Sequence, residues 1–192
     1  VSNPKQLWML VGGNGAGIST FYRKYLEPLS MSFINADLLA KQVFPDDPEG
    51  NSYEAAQLAT QMREQLLIDG ANFCFETVFS HPSKIDFVAK AKAFGYQVVL
   101  VFIRVDSPLL NKARISQRVG EGGHFVPDDK VEARIPRTLA NVRSVLSLCD
   151  HVRILDNSRC DNPFEQVATI RNQTITEHKK PSPVWASDLL YS

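Results

Sequence analysis

Four glycines, at positions 12, 13, 15 and 17, follow the apolar run LWMLV and precede Ser19-Thr20-Phe21. A buried strand running into such a loop and then into a helix leaves few folds open. The glycines let backbone N–H groups turn toward one point, and the helix that follows adds its positive end there. An anion is the natural occupant of that point. The spacing is that of the phosphate-binding loop G-x-x-x-x-G-K-[ST], except that Ile18 stands where the lysine belongs.

The remainder of the chain repeats the strand-to-helix pattern. Continuous apolar runs at 7–12, 32–36, 72–77, 97–105 and 151–156 read as five strands, and their unbroken hydrophobicity suits strands covered on both faces. The run at 97–105, QVVLVFIRV, is the most hydrophobic and should be central. Helical stretches are expected at 20–29, 53–69, 82–94, from Ser107-Pro108 to 119, at 128–148 with a kink or break near Pro136, and at 163–178. Alternating strands and helices predict an α/β fold, a three-layer sandwich around a mainly parallel five-stranded sheet. At 192 residues it is read as a single domain over 1–192.

Composition excludes several classes. Lys plus Arg total 21 and Asp plus Glu total 21, so no overall field favours nucleic acid or an anionic membrane. No apolar run has membrane-spanning length. Cys74, Cys149 and Cys160 are odd in number and lack C-x-x-C spacing, which reads as structural thiols in a reducing compartment. The expected location is the cytoplasm.

In parallel sheets of this kind, ligands bind beyond the carboxyl ends of the strands. Those ends carry GGNGAGIST, then Asn35-Ala36-Asp37, then Glu76, Thr77 and Ser80, then Arg104 and Asp106, and finally Asp156-Asn157-Ser158. In the first loop Gly13, Asn14, Gly15, Ala16, Gly17, Ile18, Ser19 and Thr20 are the nucleotide-binding candidates. Ser19 is placed to ligate Mg²⁺ and Thr20 to reach an α-phosphate. Ile18 keeps its backbone N–H but lacks the ammonium. Loss of one preorganised contact of that kind costs about 3–4 kcal/mol in the transition state, so catalysis should suffer more than binding. Arg23 and Lys24 lie a turn further on and are expected to point away.

Five motifs in order, GGNGAGISTF, INAD at 34–37, FETVFS at 75–80, GGHFVP at 122–127 and LDNS at 155–158, resemble the zeta-toxin-like family of P-loop kinases. The resemblance runs from Leu7 to about Leu190. It implies an adenylate-kinase-like P-loop fold with a lid at about 119–137, and ATP with Mg²⁺ as cofactors. It implies phosphoryl transfer to a hydroxyl of a small molecule, which in zeta toxins is UDP-N-acetylglucosamine, and it raises an antitoxin protein as a partner. Asp37 matches the family's aspartate that takes the acceptor's proton, with helix capping as its other reading. Glu76 matches a residue that binds the acceptor or holds Mg²⁺ through water, with Thr77 and Ser80 as further acceptor contacts. Arg114 and Arg118 share one helix face before the lid, and Arg134 and Arg137 follow it. By resemblance Arg118 and Arg134 stabilise the transferring phosphate, while Arg114 and Arg137 bind ATP. Each could instead be an ordinary basic helix surface. His124 matches a lid-positioning residue, and Asn141 one that steadies either its helix or the adenine pocket. The departure at Ile18 leaves a second reading open, a nucleotide-binding or regulatory protein of the same fold with weakened or absent turnover.

Overall fold

The computed structural model of the chain describes residues 4–120 and 128–191, with the side chains of residues 108, 118–120 and 128–130 outside that description. The elements run β1 (Gln6–Gly12), α1 (Ile18–Tyr25), β2 (Ser32–Ile34), α2 (Ala36–Val43), α3 (Ser52–Ile68), β3 (Phe73–Thr77), α4 (Ser83–Ala93), β4 (Gln97–Arg104), α5 (Pro108–Gly120), α6 (Asp128–Val145), β5 (His151–Asp156), β6 (Glu165–Arg171), β7 (Thr174–Glu177) and α7 (Val184–Tyr191). One sheet holds all seven strands in the order β2-β3-β1-β4-β5-β6-β7. The first five are parallel, and β4 lies at the centre as its hydrophobicity implies.

Side chains alternate across the sheet as the pleat requires. Leu7, Met9 and Val11 of β1 enter a core shared with α3, α4, α6 and α7, including Leu67, Val88, Val142 and Trp185. Leu10 points to the opposite face, where Cys74, Val101, Ile103 and Leu155 meet Ile18 and Phe21 of α1. Helices therefore cover both faces, and burial of each large apolar side chain contributes about 1.5–3 kcal/mol. Burial also pushes the Cys74 thiol up to about 12, consistent with a small inert hydrophobe. No helix among the described residues is long and apolar enough to cross a membrane.

Two expectations from sequence are corrected. Residues 163–178 form no helix; they make the hairpin β6–β7, paired antiparallel to β5 and to each other. The β-branched residues Val167, Thr169, Ile170, Thr174, Ile175 and Thr176 favour strand, and Asn172 and Gln173 both take positive φ, 48° and 63°, as a two-residue hairpin turn demands. The sheet thus has two antiparallel strands beyond the five parallel ones. Near Pro136, α6 runs as one helix from Asp128 to Val145, so of the expected kink or break the break is excluded. Proline removes a single helical hydrogen bond there, and its exposed position leaves the freed carbonyl open to water.

Candidate phosphate-binding and acceptor site

The glycine loop leaves the carboxyl end of β1 and closes on itself through a 3.0 Å bond from Ala16 N to Gly13 O. Gly17 then caps α1 in the left-handed region, with φ 96°. A Cβ there would lie 2.5 Å from Asn157 Nδ2, so the position demands glycine twice over. Asn157 is buried, and its Nδ2 donates to Ala16 O at 2.8 Å. Its own N–H bonds Arg104 O at 2.8 Å, so the ends of β4 and β5 are fastened to the loop. The turn Asp156-Asn157-Ser158 thereby supports the loop from beneath.

Ile18 opens α1. It is 4% exposed, packs in the core cluster with Leu10 and Phe21, and borders the cavity that the loop surrounds. Ser19, next along, donates from Oγ to Glu76 Oε2 at 2.8 Å. Asn35 Nδ2 donates to the same oxygen at 2.6 Å, while Asn35 Oδ1 accepts from Leu38 N and caps α2. Asn35, buried at the end of β2, is thus the cap that Asp37 had been a candidate for. A short amide side chain at that position satisfies an otherwise orphaned N–H of the first helical turn. Asp37 lies in that first turn, exposed, and faces the cavity of the glycine loop.

Three adjoining cavities partition the site. The first is walled by residues 12–19 together with Asp37, Lys41 and Glu76. A second, of about 380 Å³, lies outside the loop and brings Gly15, Gly17, Ser19 and Thr20 together with Arg114 and Arg23. Arg23 borders this outer cavity and not the one the loop encloses. A third, of about 400 Å³, lies past β2 and β3 and gathers Asp37, Glu76, Thr77, Ser80, Lys84 and Arg134. Burial, with Arg63 nearby, lowers the pKa of Lys84. Asp37 and Glu76 border both the first and the third cavity.

The arginines are distributed unevenly. Arg134 donates to Asn14 Oδ1 at 3.2 Å and so joins α6 to the glycine loop. Arg137 is exposed, with its Nε bonded to Ala133 O on its own helix at 3.1 Å. It borders none of the three cavities. Arg118 falls on α5, but its side chain lies outside the described residues, as do His124 and residues 121–127 of the expected lid. Thr77 Oγ1 accepts from Phe79 N at 2.9 Å, holding Phe79 at a φ of 60°. Thr138 and Asn141 of α6 donate to Val78 O and Phe79 O at 2.7 and 2.8 Å. Asn141 therefore braces the loop that follows β3.

Sequence reasoning placed Asn35 at the strand-end rim but missed its capping role, and it missed Lys41 as a site residue. An asparagine directly before a helix is a capping signal, and Lys41 stands four residues after Asp37, on the same helix face. The first signal is local, whereas the second gains its meaning only from the fold, which turns that helix face toward the glycine loop.

Comparison with known proteins agrees with this geometry. Residues 7–143 match the family model described as an AAA domain. An uncharacterized protein of Haemophilus influenzae is 31% identical over 137 residues, covering 68% of this chain and 97% of that protein. Among solved structures, the AvrRxo1-ORF1:-ORF2 complex with ATP superposes with a TM-score of 0.73 at 17% identity. The match covers 91% of this chain but 61% of that one. The PezAT chromosomal toxin–antitoxin system of Streptococcus pneumoniae gives a TM-score of 0.66 at 18% identity, covering 98% of this chain and 78% of that one. At such identities the likeness establishes the fold alone, an α/β P-loop sandwich with a mostly parallel sheet.

Proposed function

The chain belongs to the AAA-domain family, and from that premise we propose that it is a P-loop kinase of zeta-toxin type that transfers the γ-phosphoryl group of ATP to a hydroxyl of a small molecule. The observation that carries the proposal is that Asp37 and Glu76 stand where the cavity of the glycine loop meets the larger cavity beyond it. A donor phosphate on one side and an acceptor hydroxyl on the other would meet at those carboxylates.

The residues suit Mg·ATP. Loop amides and the start of α1 offer donors to phosphate oxygens, and the Ser19–Glu76 pair offers two oxygen ligands for a hard cation. When held by Ser19 and Glu76, Mg²⁺ would supply positive charge that offsets the negative charge building during transfer. Asp37 accepts the proton of the acceptor hydroxyl as that oxygen attacks the terminal phosphorus. Asn35 fixes the Glu76 carboxylate through its amide. Arg134 and Arg114 bring guanidinium charge to opposite sides of the loop, and Arg118 joins them by family resemblance. Thr77 and Ser80 line the acceptor side. The acceptor class follows the resemblance, a UDP-N-acetyl sugar being the first to try, and an antitoxin is the first partner to seek. The likeness to the PezAT toxin–antitoxin system supports the choice of partner, and the sugar rests on the sequence resemblance alone.

A radiolabel test decides the matter. The chain is incubated with Mg²⁺ and γ-labelled ATP, alone and with UDP-N-acetyl sugars or simple polyols, beside Asp37→Asn. Label on an acceptor that depends on Asp37 supports the proposal. Mg·ATP binding with no label transfer to any acceptor favours the second reading, a nucleotide-binding regulator, which the apolar Ile18 makes specific.

A further inference from the structure

The loop has lost its ammonium, yet the cavity it surrounds has not lost positive charge. Lys41, on α2, borders that cavity together with residues 12–19. Among the described residues it is the one cationic side chain on the wall, which otherwise carries the two carboxylates Asp37 and Glu76. Those carboxylates alone would repel a polyphosphate. We propose that Lys41 supplies, from α2, the charge that Ile18 removed from α1, contacting the terminal phosphates of the bound nucleotide. The assignment rests on reading this cavity as the triphosphate site.

Chemistry permits the transfer of duty between helices. An ammonium acts on phosphate as a compact point charge on a flexible four-carbon stem, without the fixed planar fork of a guanidinium. What matters is where Nζ lies, not which backbone position holds it. Asn35 caps α2, whose Asp37, Leu38 and Lys41 border the cavity of the glycine loop, and the helical repeat puts Lys41 one turn beyond Asp37 on the same face. One face of α2 then presents both the proton acceptor and the phosphate cation. Meanwhile Ile18, 4% exposed and packed among Leu10 and Phe21, serves the core.

The test is a double-substitution cycle read by calorimetric titration with Mg·ATP, inorganic tripolyphosphate and AMP. The four forms are the unaltered chain, Lys41→Met, Ile18→Lys and the double variant, each checked by thermal melting. Lys41→Met should weaken Mg·ATP and tripolyphosphate binding by about tenfold or more and leave AMP unchanged, as loss of a charged phosphate contact requires. With lysine restored at position 18, the same change should cost no more than about twofold, because the two ammonium groups serve one ligand. Equal losses in both backgrounds, or no loss in either, overturn the assignment. Binding by the Ile18→Lys form but not by the unaltered chain overturns it too, while leaving the triphosphate reading intact. If no form binds tripolyphosphate at millimolar concentration, both fall. Should Ile18→Lys fail to fold, the contrast between Mg·ATP and AMP in Lys41→Met decides alone, and equal effects on the two overturn the assignment.

Discussion

Ser19 Oγ donates to Glu76 Oε2 at 2.8 Å, and the same oxygen takes a 2.6 Å bond from Asn35. One carboxylate thus joins the start of α1, the end of β2 and the end of β3. Glu76→Gln keeps the shape and removes the charge, so Mg²⁺-dependent turnover should fall about a hundredfold or more, the usual scale for one preorganised electrostatic contact. Steady-state assays across a magnesium titration check this. Full activity at ordinary magnesium would take Glu76 out of the site.

Asp37 has a different expected signature. Its carboxylate lies beyond the loop, facing both cavities, and the helix cap belongs to Asn35. Asp37→Asn should therefore leave Mg·ATP affinity within about twofold while transfer falls by 10² or more, the size of a general-base contribution. Melting temperature should hardly change. A matching loss in nucleotide affinity would mean that Asp37 acts on ATP and not on the acceptor.

Gly17 tests the loop as a mechanical part. Alanine there meets a φ of 96° and a Cβ 2.5 Å from Asn157 Nδ2. The strain should cost on the order of 1–3 kcal/mol, visible in denaturant unfolding, together with weakened ATP binding. Asn157→Ala should mimic part of this by leaving Ala16 O without its 2.8 Å donor, at about 1–3 kcal/mol. If both variants unfold like the parent chain, the support from beneath the loop is not what holds it.

Asp156 makes stability depend on pH. Burial raises its pKa, but hydrogen bonds from Ser158 and Lys179 outweigh that and hold it below the ordinary carboxylate value. A depressed folded pKa means stability that is present above the unfolded value of about 3.9 and is lost as pH falls through the folded one. Asp156→Asn should lower stability near neutrality. The gap between the two proteins should close in the acid range below about pH 4, and unfolding curves from pH 7 downward check it. A gap that stays constant would mean the charge is not the cause.

What the sequence disclosed follows a physical line. The parallel strands were legible because burial on both faces leaves them continuously apolar, as in QVVLVFIRV. The β6–β7 hairpin sits at the sheet's margin, where polar residues such as Gln166, Thr174 and Glu177 interrupt the apolar pattern and imitate a helical repeat. The glycine loop was legible because its backbone needs glycine. Lys41 was not, because its relevance comes from which helix faces the loop, a tertiary relation that no local spacing encodes. Pro136 does not break α6, which carries it at an exposed position.

The central claim is that main-chain donors of the glycine loop hold a triphosphate beside Asp37. A crystal structure of the chain grown with Mg²⁺ and a non-hydrolysable ATP analogue tests it most directly. The account expects β- and γ-phosphate density enclosed by residues 13–19, with Ser19 and Glu76 on the metal side and the γ-phosphate facing Asp37. Analogue bound elsewhere on the molecule, or an empty loop at millimolar analogue, would contradict it.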